Sequence, residues 1–192
     1  MTNGIWQRGW RLHHHAWRML FIACIVSSGE LGFAQPKVDM TWVLRSTAFR
    51  HGERIPTQHT CQGADDSPPL AWTTPPQGTK SLALIVDDPD APGTVWVHWV
   101  AYNLPPNLQT LPEGIPREPQ LPDGTLQGLN DFGRVGYGGP CPPPGMPHHY
   151  RFTLYALDVV LTLPARATNA QLQHAMQGHL LSNTQLIGLY QR

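Results

Sequence analysis

Two short stretches hold most of the residues that could do chemistry: DDPDAPGTVWVHWVAYN, from Asp87 to Asn103, and GYGGPCPPPGMPHHYRFTLYALD, from Gly136 to Asp158. In the first, Asp88 and Asp90 flank Pro89, and on an extended backbone residues two apart point the same way, so both carboxylates would face one cavity. As a simple turn, the same Asp-Pro and Ala-Pro steps would only cap a strand end. The strand that follows places Trp96, His98 and Val100 on one face and Val97, Trp99 and Ala101 on the other. In the second stretch, glycines allow close approach to the backbone and prolines stiffen it, so Cys141 and Pro142 would sit in a preorganised pocket rim. His148 and His149 are adjacent at a strand start and diverge to opposite faces, whereas His148 and Tyr150 share one.

Three chemistries suit two histidines, two aspartates and nearby amides. Imidazole N–H groups and loop amides bind a small oxyanion, with the aspartates accepting from the far imidazole nitrogens. A metal site has the right ligand types but lacks close spacings such as HExxH or CxxC. A hydrolase would use Asp88 and Asp90 as acid and base, yet no GxSxG elbow or phosphate-cradling GKS loop is present. The oxyanion reading uses every residue; it needs no catalytic residue, metal or cofactor.

The elements that must position these groups read as strands at Met40–Thr47, Ser81–Asp87, Val95–Asn103, Tyr150–Asp158 and Thr184–Gln191, each rich in β-branched, aromatic and aliphatic residues. Phe152, Leu154 and Ala156 alternate with Thr153, Tyr155 and Leu157, so both faces of that strand are largely covered and it is central. Prolines make ordered coil of Ser67–Pro76 and Asn103–Gly124. One helix is signalled from Thr168 to about Leu181 by a Thr168–Gln171 capping box and by Leu172, Ala175, Met176, His179 and Leu180 on one face. His179 would then be a hydrogen-bonded histidine of the core or an interface.

The chain has 192 residues, enough for one domain with its own core. Its 18 glycines and 20 prolines make about a fifth of the sequence, which points to a loop-rich, β-dominated protein rather than disorder. Thirteen basic and thirteen acidic residues cancel without forming runs, so no electrostatic footprint for nucleic acid is present. Arg8, Arg11 and Arg18 precede an apolar stretch, Met19–Val26, and Gly32-Phe33-Ala34 has the small residues that signal peptidase needs. Residues 1–34 thus read as a secretory signal and 35–192 as the mature domain, periplasmic or secreted, with no integral membrane span. Cleavage removes Cys24 and leaves Cys61 and Cys141, an even count that permits a disulfide in an exported chain, or two separate thiols.

The sequence resembles the phosphatidylethanolamine-binding protein family, and more closely its bacterial Raf-kinase-inhibitor-like branch. The resemblance is carried by CQGADDSPPLAW (Cys61–Trp72), GTKSLALIVDDPDAP (Gly78–Pro92), HWVAYNLP (His98–Pro105), NDFGRVGYGGPCPPPG (Asn130–Gly145) and HHYRFTLYALD (His148–Asp158), and it runs to the closing GLYQR. It implies a mainly β fold, a central antiparallel sheet packed with a smaller sheet and few helices. It also implies a pocket for phosphate or phosphorylated head groups at the strand ends, matched by Asp88, Asp90, Trp96, His98, Pro142 and His148, with Tyr150 beside them and Cys141 offering backbone. One departure is His149, where the family commonly has Arg between the pocket histidine and tyrosine, so salt-bridge arguments at that place do not transfer. Kinase inhibition is not carried over either.

The expectation is an exported, non-enzymatic module that binds a small phosphorylated or carboxylate ligand, possible as a homodimer. Imidazolium groups at His98 and His148 would make binding weaken above the histidine pKa values. The alternatives are a protein-binding inhibitor of a protease or other enzyme, with a protein partner at the rim, and a weak hydrolase.

Overall fold

SLALIVDD and WVHWVAYNL have few polar positions and are buried along nearly their whole length, the pattern of strands covered on both faces. The computed structural model describes residues 42–192. The expected leader and the first residues of the strand expected from Met40 lie outside the described residues. In chain order the elements are β1 (Leu44–Arg45), β2 (Leu70–Trp72), β3 (Ser81–Asp88), β4 (Trp96–Leu104), β5 (Thr110–Leu111), β6 (Leu126–Gln127), β7 (His148–Leu157), α1 (Asn169–Met176) and β8 (Leu180–Tyr190). Five strands form an antiparallel sheet in the order β6-β4-β3-β7-β8, and β1-β2-β5 form a smaller antiparallel sheet. The mainly β, two-sheet architecture is the one expected.

Each face of the large sheet has its own apolar cluster. Leu82, Leu84, Val86, Trp99, Phe152 and Leu154 pack against Leu44, Leu70, Trp72 and Leu111 of the small sheet. On the other face, Ala83, Ile85, Val100 and Tyr102 pack against Leu172 and Met176 of α1. β7 lies between β3 and β8, the central position its covered faces predict.

Three sequence expectations change. Leu70–Trp72 and Thr110–Leu111 pair with each other inside segments read as coil, because prolines flank these pieces without occupying their bonded positions. The helix stops at Met176, five residues early: Gln177 is extended and Gly178 takes φ +79°, a left-handed turn that sends Leu180 directly into β8. His179 is therefore off the helix and exposed, its Nδ1 paired with Asp158 Oδ1 at 2.9 Å. The capping box is present as read, Thr168 accepting from Gln171 N–H while the Gln171 side chain accepts from Thr168 N–H.

The third change decides the site. Between β3 and β4 the register steps from Val86↔Trp99 to Asp87↔Val97, leaving His98 opposite no residue of β3. This β-bulge breaks the alternation expected of β4, so Val97 joins Val100 in the helix-side cluster while His98 meets Tyr150. The edge of β4 at the bulge bonds to loop backbone instead: Gly128 N–H donates to Val100 O, Asp131 N–H to Val97 O and Gly138 N–H to His98 O.

Gly128 fits this edge only without a side chain. A Cβ there would lie 2.2 Å from Ala167 O and 2.7 Å from Val100 Cγ1. Gly128→Ala is expected to lower unfolding free energy by about 1–3 kcal/mol or more, measured as a lower urea midpoint at unchanged m-value.

Candidate functional site

β3, β4 and β7 are neighbours in an antiparallel sheet, so the end of β3 lies beside the starts of β4 and β7. That edge carries Asp88, Trp96, His98, His148 and Tyr150, which line a cavity of about 240 Å³. Phe132 and Pro92 close it on one side, and Cys141, Pro142 and Pro143 contribute the rim.

Asp88 is the buried charge of the cavity, with 3% of its surface exposed. Its Oδ2 accepts from His148 Nδ1–H at 2.8 Å and its Oδ1 from Asp90 N–H at 2.9 Å. Asp90 itself does not line the cavity. The strand ends at Asp88 and the chain turns through Pro89-Asp90, so the same-face relation of an extended chain is lost. Asp90 Oδ2 instead accepts from His149 N–H at 2.8 Å and His149 Nδ1–H at 2.7 Å. The backbone bond from His149, followed by its side-chain bond, holds the Asp90 carboxyl below the usual carboxylate pKa. At the place of the family's Arg, His149 thus forms an exposed pair with Asp90.

His98 is 3% exposed. Its orienting partner is not an aspartate: Nδ1–H donates to Gly138 O at 2.6 Å while Gly138 N–H donates to His98 O at 2.9 Å. Burial pushes the imidazole pKa down, and the Gly138 carbonyl and Asp88 only partly offset it. His98 is therefore neutral near pH 7, a correction to the expectation of two imidazolium donors, with Nδ1–H committed to the backbone. The ring stands edge-on to Tyr150 (5.1 Å) and Phe132 (5.3 Å), and Phe132 in turn to Trp96 (5.5 Å).

Two donors in this wall, the Trp96 indole N–H and the Tyr150 hydroxyl, are buried with no hydrogen bond of good geometry among the described residues, the hydroxyl lying beside the Asp88 carboxylate. Burial, then the nearby Asp88 carboxylate, raises the Tyr150 pKa far above that of free phenol, so the hydroxyl keeps its proton.

The loops that shape the mouth are held from elsewhere. Cys61 and Cys141 form a disulfide with Cα atoms 5.4 Å apart, tying the proline rim to a segment eighty residues away. Asp65 is a hub beside it: its carboxylate accepts from Gly139 N–H at 2.7 Å and from Arg117 Nη2 at 2.7 Å, while Arg117 Nε donates to Tyr137 O. Asn130 Oδ1 accepts from Phe132 N–H and Arg134 N–H, and its Nδ2 donates to Gly136 O, which fixes Phe132 at the wall. Gly138 is required at the same place, since a Cβ would lie 2.8 Å from the Phe132 ring. Sequence reasoning missed Phe132, Pro92 and the Asp65 hub; the Asn-Asp-Phe-Gly turn signal at 130–133 was the available clue to Phe132.

Residues 45–191 match the family model described as phosphatidylethanolamine-binding protein. A UPF0098 protein of Methanothermobacter thermautotrophicus is 52% identical over 149 residues, covering 78% of this chain and 98% of the relative. One from Aquifex aeolicus is 48% identical over 149 residues, covering 77% and 86%. Among solved structures, a phosphatidylethanolamine-binding protein homologue of Chlamydia trachomatis superposes with a TM-score of 0.72 at 42% identity, over 79% of this chain and 98% of its own. YbcL of E. coli, described as a member of the mammalian family, gives 0.74 at 35% identity, over 79% and 99%.

Replacing both Cys61 and Cys141 by Ser is expected to lower unfolding free energy by about 4 kcal/mol, the loop-closure value for a loop of this length, read from urea denaturation of the oxidised wild type and the variant. A second outcome follows from burial of His98. The unfolded chain takes a proton near the usual imidazole pKa of about 6.5 and the native chain only at lower pH, so stability falls as pH drops below that value. His98→Asn, whose amide N–H can replace Nδ1–H toward Gly138 O, is expected to flatten the melting-temperature slope between about pH 7 and 5.

Proposed function

The chain belongs to the phosphatidylethanolamine-binding protein family, and on that premise we propose that it is a non-enzymatic module whose cup binds the oxyanion end of a small phosphorylated or carboxylate ligand. The observation that carries the reading is that Trp96 and Tyr150 line one cavity of about 240 Å³ while their Nε1–H and Oη–H are buried with no hydrogen bond of good geometry among the described residues. An unpaired buried donor costs about 1–3 kcal/mol, and an acceptor ligand recovers that cost. His148, oriented by Asp88 through its Nδ1, turns its remaining ring nitrogen to the same cavity as a further polar contact. With His98 held neutral, that side chain does not carry the expected weakening of binding at high pH.

Among the described residues Asp88 is the one carboxylate on the cavity wall, which supports a binding role over hydrolysis. Asp90, the other half of an acid–base pair, is engaged with His149. Among the described residues, no group of three or more His, Cys, Asp or Glu is placed to hold a metal ion. The disulfide supports an oxidising compartment reached through the N-terminal signal. A protein partner at the rim is the second reading, favoured by Phe132 at 37% and Met146 at 82% exposure, the first on the wall and the second two residues before His148.

Tyr150→Phe removes one donor and keeps the ring. Hydrogen bonds to charged groups contribute about 1.5–3 kcal/mol, so inorganic phosphate affinity by calorimetry should fall roughly 10- to 100-fold. A folded Tyr150→Phe variant that binds phosphate as tightly as wild type would overturn the reading.

A further inference from the structure

The disulfide at the rim lies on the surface, since Cys61 and Cys141 are both exposed. A thiol in solvent can reach such a bond, whereas cysteines buried in a core are inert. The surroundings of the two sulfurs differ. Arg192, just beyond β8, places its Nη1 3.7 Å from Cys141 Sγ, and a guanidinium there favours the thiolate over the thiol. Asp65, which lies shortly after Cys61, has its carboxylate engaged by Gly139 N–H and by Arg117.

The segments that carry the cysteines are also joined without sulfur. Cys61 N–H donates to Pro140 O at 3.1 Å, Gly139 N–H to Asp65 Oδ1 at 2.7 Å and the Tyr137 hydroxyl to His59 O at 2.8 Å. Arg117 bridges the same crossing, Nε donating to Tyr137 O and Nη2 to Asp65 O. Tyr137 and His59 are buried, which shields their bond from competing water. Breaking the S–S bond therefore leaves the two loops attached, with Cα atoms 5.4 Å apart in the closed form and the thiols poised to close again.

We propose that Cys61–Cys141 is an exchange-active disulfide, opened in the folded protein by an external dithiol, with Cys61 as the sulfur attacked and Cys141 as the leaving group. The partner's thiolate forms a new S–S bond to Cys61 Sγ as the Cys61–Cys141 bond breaks, and the electron pair leaves on Cys141 as a thiolate beside Arg192. The partner's second thiol gives up its proton and closes the partner's own disulfide, and Cys61 departs as a thiolate that takes up that proton. The partner is oxidised to a disulfide and the protein is reduced to a dithiol. Because Cys141 lines the cup, the exchange frees one restraint on its mouth.

The test follows reduction of the oxidised protein by dithiothreitol at about pH 7, quenched by acid and read by mass. Opening without unfolding predicts a rate that changes by less than roughly threefold as urea rises to half the unfolding midpoint, and a reduced protein that still unfolds in one cooperative transition. A steeper rise, or a reduced chain without such a transition, overturns the exchange. In the reduced protein, brief iodoacetamide treatment is expected to label Cys141 at least roughly threefold faster than Cys61, read by peptide mapping, and Arg192→Gln to bring that ratio below about twofold. A smaller ratio in the wild type, or an unchanged one in Arg192→Gln, overturns the roles assigned to the two sulfurs.

Discussion

A carboxylate with 3% of its surface exposed is tolerated only where hydrogen bonds replace the water it has lost, and Asp88 imposes that requirement on the whole binding edge. Its two partners come from different places, the Asp90 amide from the turn just after β3 and the His148 imidazole from the start of β7. Meeting the requirement fixes the turn and the β7 ring orientation together, and the β3–β7 register brings Asp87 opposite Arg151 in a two-bond ion pair alongside. The donors and aromatic faces of the cup are arranged around this carboxylate.

The second constraint is the bulge at His98. A regular β4 would continue its ladder with β3 and aim alternate side chains strictly to opposite faces. With His98 unpaired in the β3 ladder, its imidazole and carbonyl both turn to Gly138, closing a two-bond clamp with the loop that carries Phe132 and the glycine-proline rim. The clamp, the Asp65–Arg117 hub and the Cys61–Cys141 bond restrain the same loop from three directions. A rim held this way loses little conformational freedom when a ligand arrives.

Burial then sets the chemistry of that scaffold. It keeps His98 neutral and Tyr150 protonated, and among the described residues it leaves the Trp96 indole and Tyr150 phenol donors without a hydrogen bond of good geometry. The exposed Asp90–His149 pair lies outside the cup and is screened by solvent, so it contributes to the turn rather than to recognition.

The sequence by itself determined the β class, the central place of β7 and the Thr168 cap, because these follow from alternation and local capping within a few residues of chain. It also located the two stretches that supply most of the cup. Tertiary structure decided what those residues do. Asp90 and Asp88 are two positions apart, yet only Asp88 reaches the cavity, since the strand ends between them. His98 takes a backbone carbonyl forty residues away as its partner, Phe132 enters the wall from a loop, and Cys61 meets Cys141 across eighty residues. The helix end at Met176 and the short β2–β5 pairing were likewise settled by the strands they join. Periodicity records which face a residue occupies within one element. A bulge, a turn or a long-range hydrogen bond is an agreement between elements, and its energy exists only once they are packed together.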